Sequence, residues 1–473
     1  MHDALIAELR AALAPDRVRD GALERTLYER DASHIRGDAA VICFPLDTAE
    51  VQACVRIALA HGRPFVARGA GTGLAGGAVP LGDPVVIVTT KMDRVLSVDP
   101  GALVAWVEPG VVNLDLDKQL APLGLQFAPD PSSQQACTIG GNVANNSGGP
   151  HCLASGVTSA HVVALEVVLP DGAVTTLGGL DAEPDGYDLR GAFVGSEGTL
   201  GIATRIAVRL TPLAPEVATL LIGFPSVRDA AAAVSAIIAA GLVPAALEMM
   251  DQRITRAVED FVHAGFPTDA AAVLLAEVDG LPAAVAAGTA LVEEVGRAHG
   301  ATSVQVARDR VERAGWWKGR KSAFGAIARI KPNYYLHDTV VPRGRLVDVL
   351  DAIDRIVERE DLIVMHVFHA GDGNLHPLLL FDAREPGVMD RVHAAGDEIV
   401  RVSVEAGGVL SGEHGIGLEK RDLMPLLFGP DDLDAQARLR DAFDPEHVAN
   451  PQKVLPAGSR CGDLQAVPAG AWI

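Results

Sequence analysis

Arg68-Gly69-Ala70-Gly71-Thr72-Gly73-Leu74-Ala75-Gly76-Gly77 carries five glycines in ten positions, and the fold turns on how this stretch is read. Gly71, Gly73 and Gly76 spell a literal G-x-G-x-x-G, the spacing of a dinucleotide-binding turn. Such a turn must open a helix whose N-terminus faces a pyrophosphate. Here Pro80, Gly82 and Pro84 follow within eight residues of Gly76, so no helix is expected and a Rossmann domain is excluded. What remains is glycine chemistry: a backbone without Cβ atoms brings N–H groups close to phosphate oxygens, and Arg68 adds charge. A tight surface turn would not need so many glycines.

Two later segments repeat the idea. Pro131-Ser132-Ser133 leads into Cys137-Thr138-Ile139-Gly140-Gly141-Asn142-Val143-Ala144-Asn145-Asn146-Ser147-Gly148-Gly149, and Val194 to Ile202 reads VGSEGTLGI. Around them, residues 45–62 predict a helix stopped by Gly62, and RPFVARG predicts a strand entering the first loop. The runs VVIVTT, RVLSV and LVAWVEP predict an antiparallel meander, a helix over 114–120 ends at Gly124, and VVALEVVL-PDG-AVTTL predicts a hairpin. Three loops on this α+β scaffold suit a long ligand with a pyrophosphate in its middle.

After Thr211-Pro212 long Ala-rich helices alternate with short strands, placing a boundary near residue 214. Leu346, Leu350, Ile353 and Val357 share one helical face. In IVMHVFHAGDGNLHPLLLF, Asp372-Gly373 predicts a two-residue turn that sets His369 opposite His376, so that both imidazoles reach one cation while His366 faces away. Ser411-Gly412-Glu413-His414-Gly415-Ile416-Gly417 adds a carboxylate and an imidazole that cannot both project one way from extended chain. One would bind metal and the other face a reacting carbon. Two histidines, one carboxylate and an open position describe a catalytic divalent metal, zinc first. Arg320 is the expected carboxylate clamp, Tyr334 and Tyr335 are hydrogen-bond donors to a substrate, and Trp316 and Trp317 are packing residues.

The chain has 473 residues, enough for two or three domains. A formal net charge of −21 without a basic block argues against nucleic acid. Five cysteines without C-x-x-C spacing point to a reducing compartment and to no iron–sulfur cluster on this chain alone. The amphipathic N-terminus lacks an apolar signal core, which predicts a cytoplasmic protein. Ala230 to Leu247 is uncharged, yet Gly241 and Pro244 make it a helix followed by a turn, not a membrane span.

Together the three loops R-G-x-G-T…G-G, T-I-G-G-N-V-x-N-N-S-G-G and G-S-E-G-T-L-G-I resemble the FAD-binding domain of the vanillyl-alcohol-oxidase / p-cresol-methylhydroxylase superfamily. The second half resembles the FAD-linked oxidase C-terminal domain, among glycolate oxidase flavoprotein subunits and D-lactate and D-2-hydroxyglutarate dehydrogenases. The resemblance, over about residues 38–457, implies an α+β fold: a two-part FAD-binding domain of the p-cresol-methylhydroxylase type, plus an α+β cap with an antiparallel sheet flanked by helices. The divisions are an N-terminal helical segment 1–37, an FAD-binding domain 38–214, a substrate or cap domain 215–457 and a tail 458–473. It implies that Arg68, Gly69, Ala70, Gly71, Thr72, Gly73, Leu74, Gly76 and Gly77 hold the pyrophosphate. Pro131, Ser132, Thr138, Gly140, Gly141, Asn142, Asn145, Ser147, Gly148, Gly149, Glu197, Gly201, Ile202 and Asn450 line the rest. Some relatives attach FAD through a histidine in the first loop where this chain has Thr72, so FAD is expected to be non-covalent.

The resemblance also divides the 411–417 motif, with Glu413 joining His369 and His376 as metal ligands and His414 as the base. It implies hydride transfer from C2 of a small 2-hydroxy acid to flavin N5, leaving a 2-keto acid. Electrons then leave to an iron–sulfur or other accepting partner, which is able to bring the protein to a membrane, and a homodimer is allowed for. Relatives acting on longer diacids carry a lysine near the Tyr-Tyr stretch; Tyr335-Leu336 here favours a small monocarboxylate. The alternatives are a D-2-hydroxyglutarate-type dehydrogenase, a redox-neutral flavoenzyme of the ether-lipid synthase type, a metal hydrolase and a non-catalytic FAD-carrying scaffold.

Overall fold

The computed structural model describes residues 2–180 and 186–456, and the expected tail from 458 lies outside them. The chain forms two units. One takes residues up to Gly148, Val157–Leu213 and the chain from Glu413 onward; the other takes Gly149–Gly156 and Ala214–Gly412. Two of the expected divisions therefore differ from what is observed. The 1–37 segment is not separate, because Leu5, Ile6 and Leu9 of the helix His2–Ala12 are buried in one core with Val51, Val55, Phe65 and Val85. The expected 215–457 domain is split, since its last part returns to the first unit: Phe65 bridges Ala449, and Asn450 N–H donates to Phe65 O (2.8 Å).

Among the described residues the first unit holds two larger sheets and a short antiparallel pair, Leu125–Gln126 with Thr211–Pro212. In the four-stranded one the order is Val18–Arg19, Val41–Cys43, Val85–Val88, Phe65–Arg68, with the last three strands parallel. The expected three-run meander is thus corrected. Val85–Val88 is buried at all four positions, and a continuous apolar run without polar alternation suits a parallel strand covered on both faces. Only Val95–Asp99 and Val104–Val107 form the predicted hairpin, and its turn is held by Asp99 Oδ1, which accepts N–H bonds from Gly101 and Ala102 (2.9 Å each). These two strands continue through Ile202–Arg209 and Val162–Val168 to Val174–Gly178 as a five-stranded antiparallel sheet.

In the second unit a nine-stranded sheet is antiparallel at every recorded pairing. Helices Val227–Ala239 and Leu346–Arg359 lay Val234, Ile237, Leu346, Leu350 and Ile353 against its apolar face. The uncharged run from Ala230 resolves as that first helix followed by the strand Ala246–Asp251. No helix among the described residues is long and apolar enough to cross a membrane.

The hairpin register differs from the predicted one. His369 pairs with Asn374 and His366 with Pro377, so the connection is Ala370 to Gly373, four residues instead of two. Gly373 has φ +81, and a Cβ there would strike the carbonyl oxygen of Val341. Both the left-handed backbone and the close approach demand glycine. Gly373→Ala should lower stability by about 1–3 kcal/mol, read from urea midpoints. Gly62→Ala, at φ +64 with nothing within 4 Å, should cost less; equal losses would mean that backbone strain alone acts.

Candidate active site

In the first unit, the strand Phe65–Arg68 delivers Arg68 and the first glycine loop to a cleft. Its lining includes Arg68, Gly69, Gly140, Gly141, Gly201 and Ile202 of the expected cofactor residues, together with Ser196 and Gly198. No helix follows the first loop, as its prolines require. The second loop instead winds into the short helix Ile139–Asn145, capped by Thr138, whose Oγ1 accepts the Gly141 N–H (3.4 Å). Glycine is needed at 140 because a Cβ would sit 2.6 Å from Pro109 Cβ.

The cleft region is electrically unfinished. Arg68 Nη1, Asn142 Nδ2 and Ser196 Oγ are buried without hydrogen-bond partners. Unpaired buried donors are costly, which is what a polyanionic ligand relieves. Burial holds the Arg68 guanidinium below its usual range, opposed by Asp31, and it lies over the Tyr28 ring at 5.4 Å. These donors fit a pyrophosphate.

Three expected cofactor residues have other engagements. Asn450 Nδ2 donates to Gly77 O (2.8 Å) and Glu197 O (2.6 Å), tying the first glycine loop to the third. Asn145 Nδ2 donates to His414 O (2.8 Å). The Glu197 carboxylate accepts N–H bonds from Ile416 (2.7 Å) and Gly417 (3.1 Å), and burial pushes its pKa up to about 6 against those amides and Lys453 and Lys420. Lys453 itself is pushed down to about 7 by burial and donates to Val79 O (2.8 Å). His414 Nε2 lies 4.0 Å from Glu413 Oε1. Gly149 groups with the second unit.

In the second unit, His369 and His376 stand with ring centroids 4.9 Å apart and planes at 87°. The register shift of two residues leaves them on one face because side chains alternate with period two; they are diagonal neighbours, not a directly opposed pair. His369 Nδ1 is 2.7 Å from Glu248 Oε1, and His376 Nδ1 is 3.4 Å from His337 O. A ring whose Nδ1–H is given to an oxygen presents Nε2 as a lone-pair donor, the usual state of a metal-binding histidine. His366 turns away to Asp354 Oδ1 (3.1 Å). Asp338 accepts from Ser411 Oγ (2.5 Å) and Gly412 N–H (3.0 Å), so it pins the peptide leading into Glu413. A Cβ on Gly412 would collide with Asn374, two residues before His376.

The sequence reading missed Glu248. It is fully enclosed, with Oε2 2.6 Å from Arg320 Nη2 and both side chains at most 2% exposed. Burial alone would raise its carboxyl, but Arg320 and then His369 outweigh this and hold it below the usual range. Its signal was there to read: Glu248 ends the uncharged run, a carboxylate set between apolar neighbours in the strand Ala246–Asp251. The finding alters Arg320. Nη2 is committed to Glu248 while Nε is buried without a partner, so a bidentate grip on a substrate requires that pair to open. Tyr335 packs on the core and edge-on to His337 (4.6 Å), whereas Tyr334 stacks on Phe324 (6.0 Å). Trp316 and Trp317 do pack, the latter donating Nε1–H to buried Glu277 (2.6 Å).

Residues 213–454 match the C-terminal domain of FAD linked oxidases and residues 39–178 match an FAD binding domain. The glycolate oxidase subunit GlcD of Escherichia coli K12 is 45% identical over 441 residues, covering 93% of this chain and 88% of its own. The D-lactate dehydrogenase of Anaerostipes hadrus is 33% identical, covering 93% and 95%. Among solved structures, 4-ethylphenol oxidase from Gulosibacter chungangensis shares the fold with a TM-score of 0.78 at 20% identity, over 97% of this chain and 98% of that one.

Proposed function

This chain belongs to the FAD-linked oxidases, and from that premise we infer that it oxidises a small 2-hydroxy acid of the glycolate or D-lactate type to the 2-keto acid. The observation that carries the reading is the pair of imidazoles at 4.9 Å with both Nδ1 atoms engaged, on a chain whose other unit holds a cleft of unpaired donors. The substrate class comes from the names of the curated relatives.

Bound FAD supplies the two-electron acceptor for the C2 hydride. Its pyrophosphate would be held by Arg68 and the glycines of the first loop, and Thr72 in that loop provides no imidazole for covalent attachment. His369, His376 and Glu413 would hold a divalent cation, zinc first, which supplies Lewis acidity toward the substrate hydroxyl. His414, 13% exposed at its side chain, takes the hydroxyl proton as general base. Arg320 orients Glu248, and through it His369, and offers Nε to the substrate carboxylate. Tyr334 supplies a hydroxyl donor. Tyr335, the second expected donor, is held edge-on to His337. With no C-x-x-C pair on this chain, the electrons pass to a partner subunit or carrier in the cytoplasm.

The test is an anaerobic visible spectrum of the purified protein, taken before and after glycolate, D-lactate and D-2-hydroxyglutarate in turn. Bleaching of a flavin band by glycolate or D-lactate is expected. Bleaching by D-2-hydroxyglutarate alone would move the substrate to the diacids, and a flavin untouched by all three would overturn the dehydrogenase reading.

A further inference from the structure

The backbone that carries His414 is bound to all three glycine loops, each through one residue. From the second loop, Asn145 Nδ2 donates to His414 O (2.8 Å). From the first, Ala75 O accepts N–H bonds from Leu418 (2.8 Å) and Glu419 (3.2 Å). From the third, Glu197 Oε1 accepts those of Ile416 (2.7 Å) and Gly417 (3.1 Å). Glu197 is 5% exposed and held in a left-handed backbone conformation at φ 53. Its own N–H donates to Ala144 O (2.8 Å), and its carbonyl accepts from Asn450 (2.6 Å). The chain packs tightly about the carboxylate: a Cβ at Gly415 would lie 2.7 Å from Oε1, and one at Gly77 would lie 3.0 Å from Oε2. The neighbours Ser196 and Gly198 line the cofactor cleft, while the Glu197 side chain is spent on residues 416 and 417.

We propose that Glu197 is a positioning residue for His414, fixing the segment just past the imidazole to the loops that hold the cofactor. The proposal rests on the reading of His414 as the base. Two amides on one buried carboxylate oxygen fix the residues just past the imidazole, in a glycine-flanked segment where Gly415 and Gly417 both take positive φ (89 and 53). Freed of that anchor, the imidazole loses its placement although the cofactor loops keep theirs. A misplacement of about 1 Å costs roughly 100-fold in rate.

The test uses the FAD-loaded protein with Glu197→Ala, Glu197→Asp, Glu197→Gln and His414→Ala, and the Glu197→Ala/His414→Ala double variant. Three quantities are read: flavin content from the visible spectrum, kcat and KM for whichever hydroxy acid bleaches the wild type, and amide exchange of the peptide spanning 410–420. Glu197→Ala should keep its flavin, lose roughly 10- to 100-fold in kcat with KM changed less than about threefold, and exchange faster at 416–417. Glu197→Gln should restore both rate and protection, because its amide oxygen still accepts the two N–H bonds. Glu197→Asp keeps the charge but withdraws the acceptor by one methylene, and should resemble Glu197→Ala. It decides the matter if the alanine variant does not fold. The double variant should be no slower than His414→Ala alone. Wild-type kcat in both Glu197→Ala and Glu197→Asp, failure of Glu197→Gln to rescue, or additive losses in the double variant would overturn the proposal while His414 stands as base. Wild-type rates in His414→Ala would overturn both.

Discussion

His414→Ala should purify with its flavin band intact and yet be reduced by substrate roughly 100- to 10,000-fold more slowly than the wild type, the span usual for loss of a positioned acid or base. The cofactor should stay because the cleft, whose lining includes Arg68, Gly69, Gly140, Gly141, Ser196 and Gly201, takes no side chain from 414. Asn145 holds the carbonyl of residue 414, not its imidazole, so the backbone tie survives the substitution. What is lost is the proton acceptor, and hydride cannot leave C2 readily while the hydroxyl keeps its proton. Stopped-flow reduction under anaerobic conditions measures this step apart from reoxidation. Reduction at the wild-type rate would remove His414 from the chemistry and shift attention to the other imidazoles.

The second large effect is on stability and, on the proposed reading of His369 as a metal ligand, on cation binding as well. Glu248→Ala should cost about 3–5 kcal/mol, because it strands the Arg320 guanidinium in a site where that residue is 1% exposed. The same change removes the oxygen that holds His369 Nδ1, and loss of such an outer partner typically weakens metal binding roughly 10- to 100-fold. Replacing both partners, as Glu248→Leu with Arg320→Met, should recover most of the stability, since a buried ion pair is stabilised little over a well-packed apolar pair. It should not recover the cation binding proposed for His369. Thermal unfolding and metal analysis of the same preparations separate the two; a double variant as unstable as the single one would show that packing around Glu248, not its charge, holds the site.

How much of this was legible in the sequence depended on whether the signal was local. The three glycine loops, the refusal of the first to open a helix, and the apolar face of Leu346, Leu350, Ile353 and Val357 are set by neighbours in the chain. The hairpin was half legible. Asp372-Gly373 marks a turn, but the four-residue connection is chosen by packing of Gly373 on Val341, across a strand the turn itself does not specify. The histidines still share a face because an error of two residues leaves side-chain alternation unchanged. The parallel placement of Val85–Val88 and the Glu248–Arg320 pair depend on partners 20 to 72 residues away, and no local rule reaches that far. The assignment of Asn145, Glu197 and Asn450 to cofactor lining rests on the family resemblance; their side chains serve the loops' connections to each other and to residues 414–417.

The order in which the chain is threaded also constrains how it is born. It passes from one unit to the other at residues 148, 156, 213 and 412, so neither unit is a single stretch of polypeptide. A nascent chain that has reached residue 214 still lacks Ala449 for its bridge to Phe65, Asn450 for the first and third loops, and the Lys453 ammonium that donates to Val79. The nucleotide-binding half therefore cannot mature on the ribosome ahead of the rest. It waits, with apolar strands made and unsealed, until residues 449–453 have been synthesised, which makes their arrival, not emergence of residue 214, the event that lets this unit reach its native state.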